Sequence, residues 1–516
     1  MGSTGKEVDT LLTQGLKTRL KIQQLQPQGK ANAKNQQTSQ SPLSTFARNL
    51  QGALDQRSSV KSLRTFVAGE FEDPGELALV DFSSNNILSW NETSLLRDEF
   101  YAQLASHPKF TVGSGGTRLM DGNYTYLETT ENEIAAFHKA ETGLIMNSGY
   151  EANVAIWGSI PRPGDIMVHD SLVHSSTHEG MARSLSVNKI EFKHGNMESY
   201  KQVLTQILDE FPLVKQGKRS VLVAIESVYS MDGDVCPLKD MIDFADELYT
   251  HKNVEFVVDE AHSSGLFGPG GAGLVVALGL EKRCAVRIHT FGKSVGASGA
   301  IVLGNEAIRS ALINFNPQTI FSTAPSFPMV AGIKAGYNLI MSEKGEKARN
   351  DLQHVARMIF SELTSHPNWP LVLEEGLLSV PLAGDDRDPG YNPEYAEWWE
   401  SRPFLTHIVT LRPRPEHLYW LYFHCLDAGY RVWAIEYPIV ELNKARVTIR
   451  LHANNTDEQV RGVVAAIYDW VDEVRALEHK QKKSGESGKG DVKVTKSAKR
   501  VYDWMRSEGL DGFGMP

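Results

Sequence analysis

Residues 286–299 read Val286-Arg287-Ile288-His289-Thr290-Phe291-Gly292-Lys293-Ser294-Val295-Gly296-Ala297-Ser298-Gly299. An apolar strand here hands one lysine into a turn flanked by Gly292, Gly296 and Gly299. Glycines let backbone approach a ligand closely and adopt dihedrals closed to other residues. A lysine held there, partly desolvated, has a lowered pKa and can form a Schiff base with a carbonyl. Taken alone, the same pattern also reads as a surface lysine after a strand.

Working outward, Ser220–Ser227, Val254–Asp259 and Ala300–Gly304 also read as short buried strands. Amphipathic stretches lie between them, such as Leu238–Tyr249 with Leu238, Met241, Ile242, Ala245 and Leu248 on one face. Alternation of this kind predicts an α/β fold with a mostly parallel sheet flanked by helices. The strand Val254–Asp259 ends in Asp259-Glu260-Ala261-His262. That places a carboxylate at the sheet edge where such folds bind ligands, although a helix N-cap aspartate reads the same way. Asn147-Ser148-Gly149-Tyr150 opens a predicted helix whose first amides suit a phosphate. His169-Asp170-Ser171-Leu172-Val173-His174 follows a strand at 165–168 and offers a histidine to a planar ring. Two histidines beside a carboxylate also suggest metal, but the helical HExxH spacing is missing.

The 516 residues are 41% hydrophobic and 22% charged, an ordinary globular composition. A formal charge of −10 argues against a general nucleic-acid binder. Cys236, Cys284 and Cys425 are dispersed, which fits a reducing compartment, and the cytoplasm is expected. No window approaches the roughly 20 apolar residues of a membrane span. Residues 10–54 lack Asp and Glu and carry six basic residues, read here as a solvated arm. The expected layout is a polar arm over 1–57, an N-terminal segment over 58–110 and a large domain over 111–335. A smaller α+β domain over 336–478 and a linker and tail over 479–516 complete it. Residues 328–365 are expected to be mainly helical. Strands are expected at Leu371–Pro381, Thr406–Leu411, Tyr430–Ile435 and Ala445–Leu451, then a helix at Thr456–Leu477. Residues 385–402 read as an insertion, and 495–507 as a terminal helix.

In order, VGSGGTR (112–118), NSGYEAN (147–153), DSLVHSS (170–176), ESVYSMDGD (226–234), VVDEAHSSG (257–265), HTFGKSVGASG (289–299) and FSTAPS (321–326) mark the chain. From about Asp81 to about Asp472 it resembles the α-oxoamine synthase family of fold-type I pyridoxal 5′-phosphate (PLP) enzymes. The resemblance implies an aspartate aminotransferase-like large domain and a homodimer with shared active sites. It makes Lys293 the Schiff-base lysine that also moves the substrate α-proton, and Asp259 the partner of the pyridine nitrogen. It stacks His174 on the ring and sets His262 and Ser230 near the ring hydroxyl. Phosphate contacts fall to Gly149, Tyr150, Thr290 and, from the second subunit, Thr323. Glu226 is a nearby polar group, and Asn86 a substrate-side asparagine. The implied reaction is decarboxylative condensation of an amino acid with an acyl thioester, carried on coenzyme A or a carrier protein, to an α-aminoketone.

Departures fall on substrate-facing segments. In Ala445–Thr456, the family's carboxylate-anchoring arginine position holds Thr448. Arg446 and Arg450 flank it on the same strand face, one step of roughly 7 Å away. Arg450 is expected to bind the amino-acid carboxylate, with Arg446 its rival. Asn455, Leu127 and Ile87 replace family histidine, histidine and tyrosine, and Glu436-Tyr437-Pro438 departs from a basic-x-Pro pattern. Transamination, simple decarboxylation or a catalytically silent subunit are the other readings on this fold. Retention of Lys293, Asp259 and His174 argues against the silent one. A dinucleotide-dependent oxidoreductase is set aside because no GxGxxG turn opens the first strand–helix unit.

Overall fold

The computed structural model describes residues 79–381, 399–436, 439–440 and 444–483. The polar arm, most of the expected insertion and the expected terminal helix lie outside these residues. In chain order the strands are β1 (Val80–Asp81), β2 (Thr142–Met146), β3 (Ile166–Asp170), β4 (Asn188–Phe192), β5 (Val221–Glu226), β6 (Val254–Asp259) and β7 (Cys284–Thr290). They continue with β8 (Ala300–Gly304), β9 (Leu378–Ser379), β10 (Ile408–Pro413), β11 (Tyr430–Arg431), β12 (Trp433–Ile435) and β13 (Arg446–Arg450).

Seven strands form the main sheet in the order β2-β8-β7-β6-β5-β3-β4. All neighbours run parallel except at β8, which is antiparallel to both β2 and β7. Both faces of this sheet are covered. Val221, Val223 and Ile225 pack with the helices Met197–Glu210 and Leu238–Leu248. Their neighbours Leu222 and Ala224 face Ala152, Ile156 and Trp157 of the helix Gly149–Ser159. Alternate residues therefore enter different apolar layers, which is why these strands are continuous hydrophobic runs. Parallel strands also end on one edge, so Asp170, Glu226, Asp259 and Thr290 gather there.

A second, antiparallel sheet, β12-β13-β10-β9, packs with the helix Leu418–Asp427, on which the helix Asp457–Lys483 packs in turn. It docks on the loop after β5. Thr406 donates to the Gly233 carbonyl at 2.7 Å and Thr410 to that of Met231 at 2.9 Å. Asp232 in that loop pairs with Arg412 at 2.8 Å and with Arg446.

Two expectations in this half are corrected. Leu371–Pro381 begins as a helix, Trp369–Glu374, with Pro370 in its first turn, and only Leu378–Ser379 is a strand. Proline is preorganised for a helix start, and Gly376 at φ 61 turns the chain out of it. Tyr430–Ile435 splits: β11 pairs with β1, whereas β12 joins the second sheet. Among the described residues no helix is long and apolar enough to cross a membrane.

One buried ion pair ties the segment at Arg118 and the helix Thr125–Phe137 to the edge strand β2. Arg118 reaches both oxygens of Glu131, at 2.7 and 2.9 Å, and Glu131 also accepts the β2 amide of Ile145 at 2.7 Å. Removing one partner of a buried pair leaves an uncompensated charge. Glu131→Ala is therefore expected to lower unfolding free energy by about 3–5 kcal/mol. Urea denaturation checks this, and a midpoint equal to wild type would contradict it.

Candidate active site

The carboxyl edge of the main sheet opens into a cavity of about 400 Å³. Lys293 enters it from the turn after β7. That turn is closed by the Ala297 amide donating to the Phe291 carbonyl and the Phe291 amide donating to the Gly299 carbonyl, and is secured by Trp90, whose indole donates to the Ser294 carbonyl at 2.9 Å. Gly299 sits at φ 108, where a side chain would also strike Met329 and the Met146 carbonyl.

The lysine amine lies 2.9 Å from Nε2 of His262. Burial lowers its pKa to about 8, with Arg450 adding to the effect and the carboxylates of Asp259 and Glu226 opposing it. Those two carboxylates stand side by side, because Glu226 and Asp259 are register partners at the ends of β5 and β6. Asp259 is fixed by the Ala261 amide at 2.9 Å and by the Asn153 side chain at 2.8 Å. Glu226 accepts the His174 amide at 2.7 Å, while burial and the nearby Asp259 push its pKa well up.

His174 caps the helix Ser175–Ala182, its Nδ1 accepting the Ser176 amide at 3.3 Å. Burial lowers its pKa, with Asp259 opposing and Lys293 assisting. His262 is buried and pushed far below the ordinary histidine value by burial, then by Lys293, His407 and Arg450.

Across the cavity, Ser148 caps the helix Gly149–Ser159 by accepting the Glu151 amide at 3.1 Å. The amides of Gly149 and Tyr150 remain at the helix start, pointing as helix N-terminal amides do toward an anion. A side chain at Gly149 would lie 2.3 Å from the Thr290 methyl, so glycine keeps this cradle open. Thr290 Oγ1 is buried and has no partner among the described residues. An orphaned hydroxyl beside helix N-terminal amides, opposite a fixed aspartate, fits a phosphorylated pyridine. PLP would be held by these groups, with Lys293 at its carbonyl carbon.

Lys293, Asp259, His174, His262, Gly149, Tyr150, Thr290 and Ser230 thus line one cavity. Asn86 does not. Its side chain accepts from the Asn91 amide at 3.4 Å, and Asn85 lines the cavity in its place. Asn85 accepts from Arg450 at 2.6 Å. Arg446 is committed to Asp232, and Thr448 is buried against the Trp433 carbonyl at 3.3 Å. Thr323 is exposed and outside the cavity, bridged to Thr117. Three further residues contribute: Asn153, Ser176 and His407. Asn153 falls one helical turn after Gly149, so its spacing within NSGYEAN signals a shared face. Nothing in the local pattern marks His407, whose Nε2 meets His262 Nδ1 at 3.3 Å across 145 residues.

A mostly parallel α/β sheet with a half-buried lysine, an aspartate fixed by two donors and a phosphate cradle on one edge defines a fold-type I PLP protein. The chain belongs to the aminotransferase class I and II family, whose model matches residues 78–467. It is 43% identical over 460 residues to an aminoacyl transferase sphA of Byssochlamys spectabilis, covering 89% of this chain and 93% of that protein. It is 40% identical over 394 residues to an 8-amino-7-oxononanoate synthase of Emericella nidulans, covering 76% and 89%. Among solved structures it is similar in fold to a serine palmitoyltransferase from Sphingomonas wittichii. There the identity is 20%, the TM-score 0.64, and 85% of this chain and 100% of that one are covered.

The lowered lysine pKa has a direct readout. In the PLP-free chain, competitive acetylation mapped by mass spectrometry is expected to give Lys293 a midpoint near pH 8. The sign is that of a base whose neutral form burial favours. A midpoint at the ordinary 10.5 would contradict the site's electrostatics.

Proposed function

We propose that this chain is a PLP-dependent acyltransferase joining an amino acid to an acyl thioester, with loss of carbon dioxide, to give an α-aminoketone. The observation that carries this reading is the half-buried Lys293 amine, 2.9 Å from His262 and acted on by the charges of Asp259 and Glu226. The relatives named aminoacyl transferase and 8-amino-7-oxononanoate synthase support it over other reactions on the fold.

When bound, the cofactor supplies a conjugated ring that accepts the electron pair left on the amino-acid α-carbon. Gly149 and Tyr150 amides and the Thr290 hydroxyl take the phosphate. Asp259, held still by Asn153 and the Ala261 amide, would pair with the ring nitrogen. His174 would stack on the ring, and His262 and Ser230 would hold the ring hydroxyl. Lys293, with a pKa of about 8, is a competent base for the α-proton near neutral pH. Arg450, oriented by Asn85, binds the substrate carboxylate. One carbon–carbon bond forms at the acyl carbonyl, the carbon–sulfur bond breaks with release of thiol, and the carboxylate leaves as carbon dioxide.

The assembly is read as a homodimer in which Thr323 of one copy reaches the phosphate of the other. Exposure of Thr323 beside Phe321, with Val112 and Met120 also exposed, supports a covered face there. The acyl group arrives on coenzyme A or a carrier protein. Residence in the cytoplasm is supported by three cysteines that are all free and buried.

Incubation with PLP, single amino acids and acyl-coenzyme A, followed by mass spectrometry, is expected to yield an aminoketone and free thiol. An oxo acid would indicate transamination and an amine simple decarboxylation, and either would overturn the proposal. Lys293→Ala is expected to lose about 10²–10⁴-fold in turnover as a proton-transfer group. Arg450→Ala is expected to raise the amino-acid KM about tenfold or more, as loss of a charged contact of roughly 1.4 kcal/mol or more does. An unchanged KM would remove Arg450 from the substrate site.

A further inference from the structure

His407 immediately precedes β10, on the second sheet, and is 1% exposed. Its ring is nearly parallel to that of His262, at 18° with centroids 5.4 Å apart. His407 Nε2 lies 3.3 Å from His262 Nδ1, and His262 Nε2 lies 2.9 Å from the Lys293 amine. Three basic groups therefore stand in one hydrogen-bonded row.

The charges facing the two rings are mainly cationic. Lys293 and Arg450 act on both, His174 on His262 and His452 on His407. Burial together with these neighbours keeps both imidazoles neutral. Two neutral imidazoles sharing one hydrogen bond have two arrangements. In the first, His262 Nδ1–H donates to His407, whose own proton then sits on Nδ1. That nitrogen is buried and has no partner among the described residues. In the second, His407 Nε2–H donates to His262 Nδ1, and His407 Nδ1 is a bare lone pair. A buried orphan N–H is rarer than an unfilled acceptor, so the second arrangement is favoured.

We propose that His407 is a positioning residue that fixes the tautomer of His262, placing its proton on Nε2 and aiming that donor at Lys293 and the cofactor's ring oxygen. This deepens the PLP reading and rests on it for its catalytic consequence. In this tautomer His262 donates to the lone pair of Lys293 once that amine has lost its proton, above its pKa of about 8. The same N–H becomes a donor for an anionic oxygen once PLP is bound. The second sheet thereby controls the hydrogen-bond polarity of a site built on the first.

The test is histidine side-chain ¹⁵N NMR on the full chain, without and then with added PLP, assigned through His262→Gln and His407→Gln. At pH 9.5, where Lys293 with its pKa of about 8 is uncharged, the wild-type chain is expected to show His262 protonated at Nε2 and bare at Nδ1. His407→Phe is expected to mix the two tautomers and to slow amino-acid α-proton exchange at least tenfold at unchanged amino-acid KM. His407→Gln, whose amide donates in place of the imidazole, is expected to restore both. Protonation of His262 at Nδ1 in the wild type, or an unaltered tautomer in His407→Phe, would overturn the proposal. Should His407→Phe not fold, the wild-type spectrum and His407→Gln decide alone. Failure of the cofactor reading is seen separately, as no visible absorption band on PLP addition, since the tautomer is already read in the PLP-free chain.

Discussion

The structure turns on the partial burial of one amine, that of Lys293. Removing an ammonium from water is costly unless it is paired or neutralised. Lys293 is supplied with both remedies. Its pKa falls to about 8, and two carboxylates stand close enough to act on its charge. Those carboxylates are available because β5 and β6 run parallel in register and end together, which brings Glu226 beside Asp259. Each is then held by a donor from a neighbouring element: Glu226 by the His174 amide, Asp259 by Asn153. The geometry of the sheet thus becomes the electrostatics of the site.

The second sheet completes what the first cannot provide. Asp232, in the loop that also carries Ser230 into the cavity, binds Arg412 and Arg446 and so docks that sheet. Arg446 is spent on this contact, which leaves Arg450 for Asn85 and the site. His407 comes from the same sheet and closes the row behind His262. Docking falls to Arg446 and contact with the cavity-lining Asn85 to Arg450, two arginines four residues apart on one strand face.

Much of this was legible in the chain itself. The strands Val254–Asp259 and Ala300–Gly304 match their expected limits because a sheet covered on both faces needs uninterrupted apolar runs. Lys293, Asp259 and His174 could be located since strand ends and glycine turns are local signals. Residues 371–377 misread as strand because short apolar runs carry no period that separates helix from strand, and Pro370 decided the outcome. Asn85 lines the cavity where Asn86 is expected to, in a loop with no period to set the register. His407 was invisible for a different reason. Its meaning lies in a contact with His262, and nothing in Thr406–Leu411 separates it from any strand-flanking histidine.

The central claim is that Lys293 is the amine at which this chain holds PLP. Borohydride reduction of the purified chain after incubation with PLP, followed by peptide mapping, tests it most directly. The account predicts one pyridoxyl group per chain, on Lys293, and none in Lys293→Ala. A label spread over surface lysines, or a chain that takes up none, would contradict it.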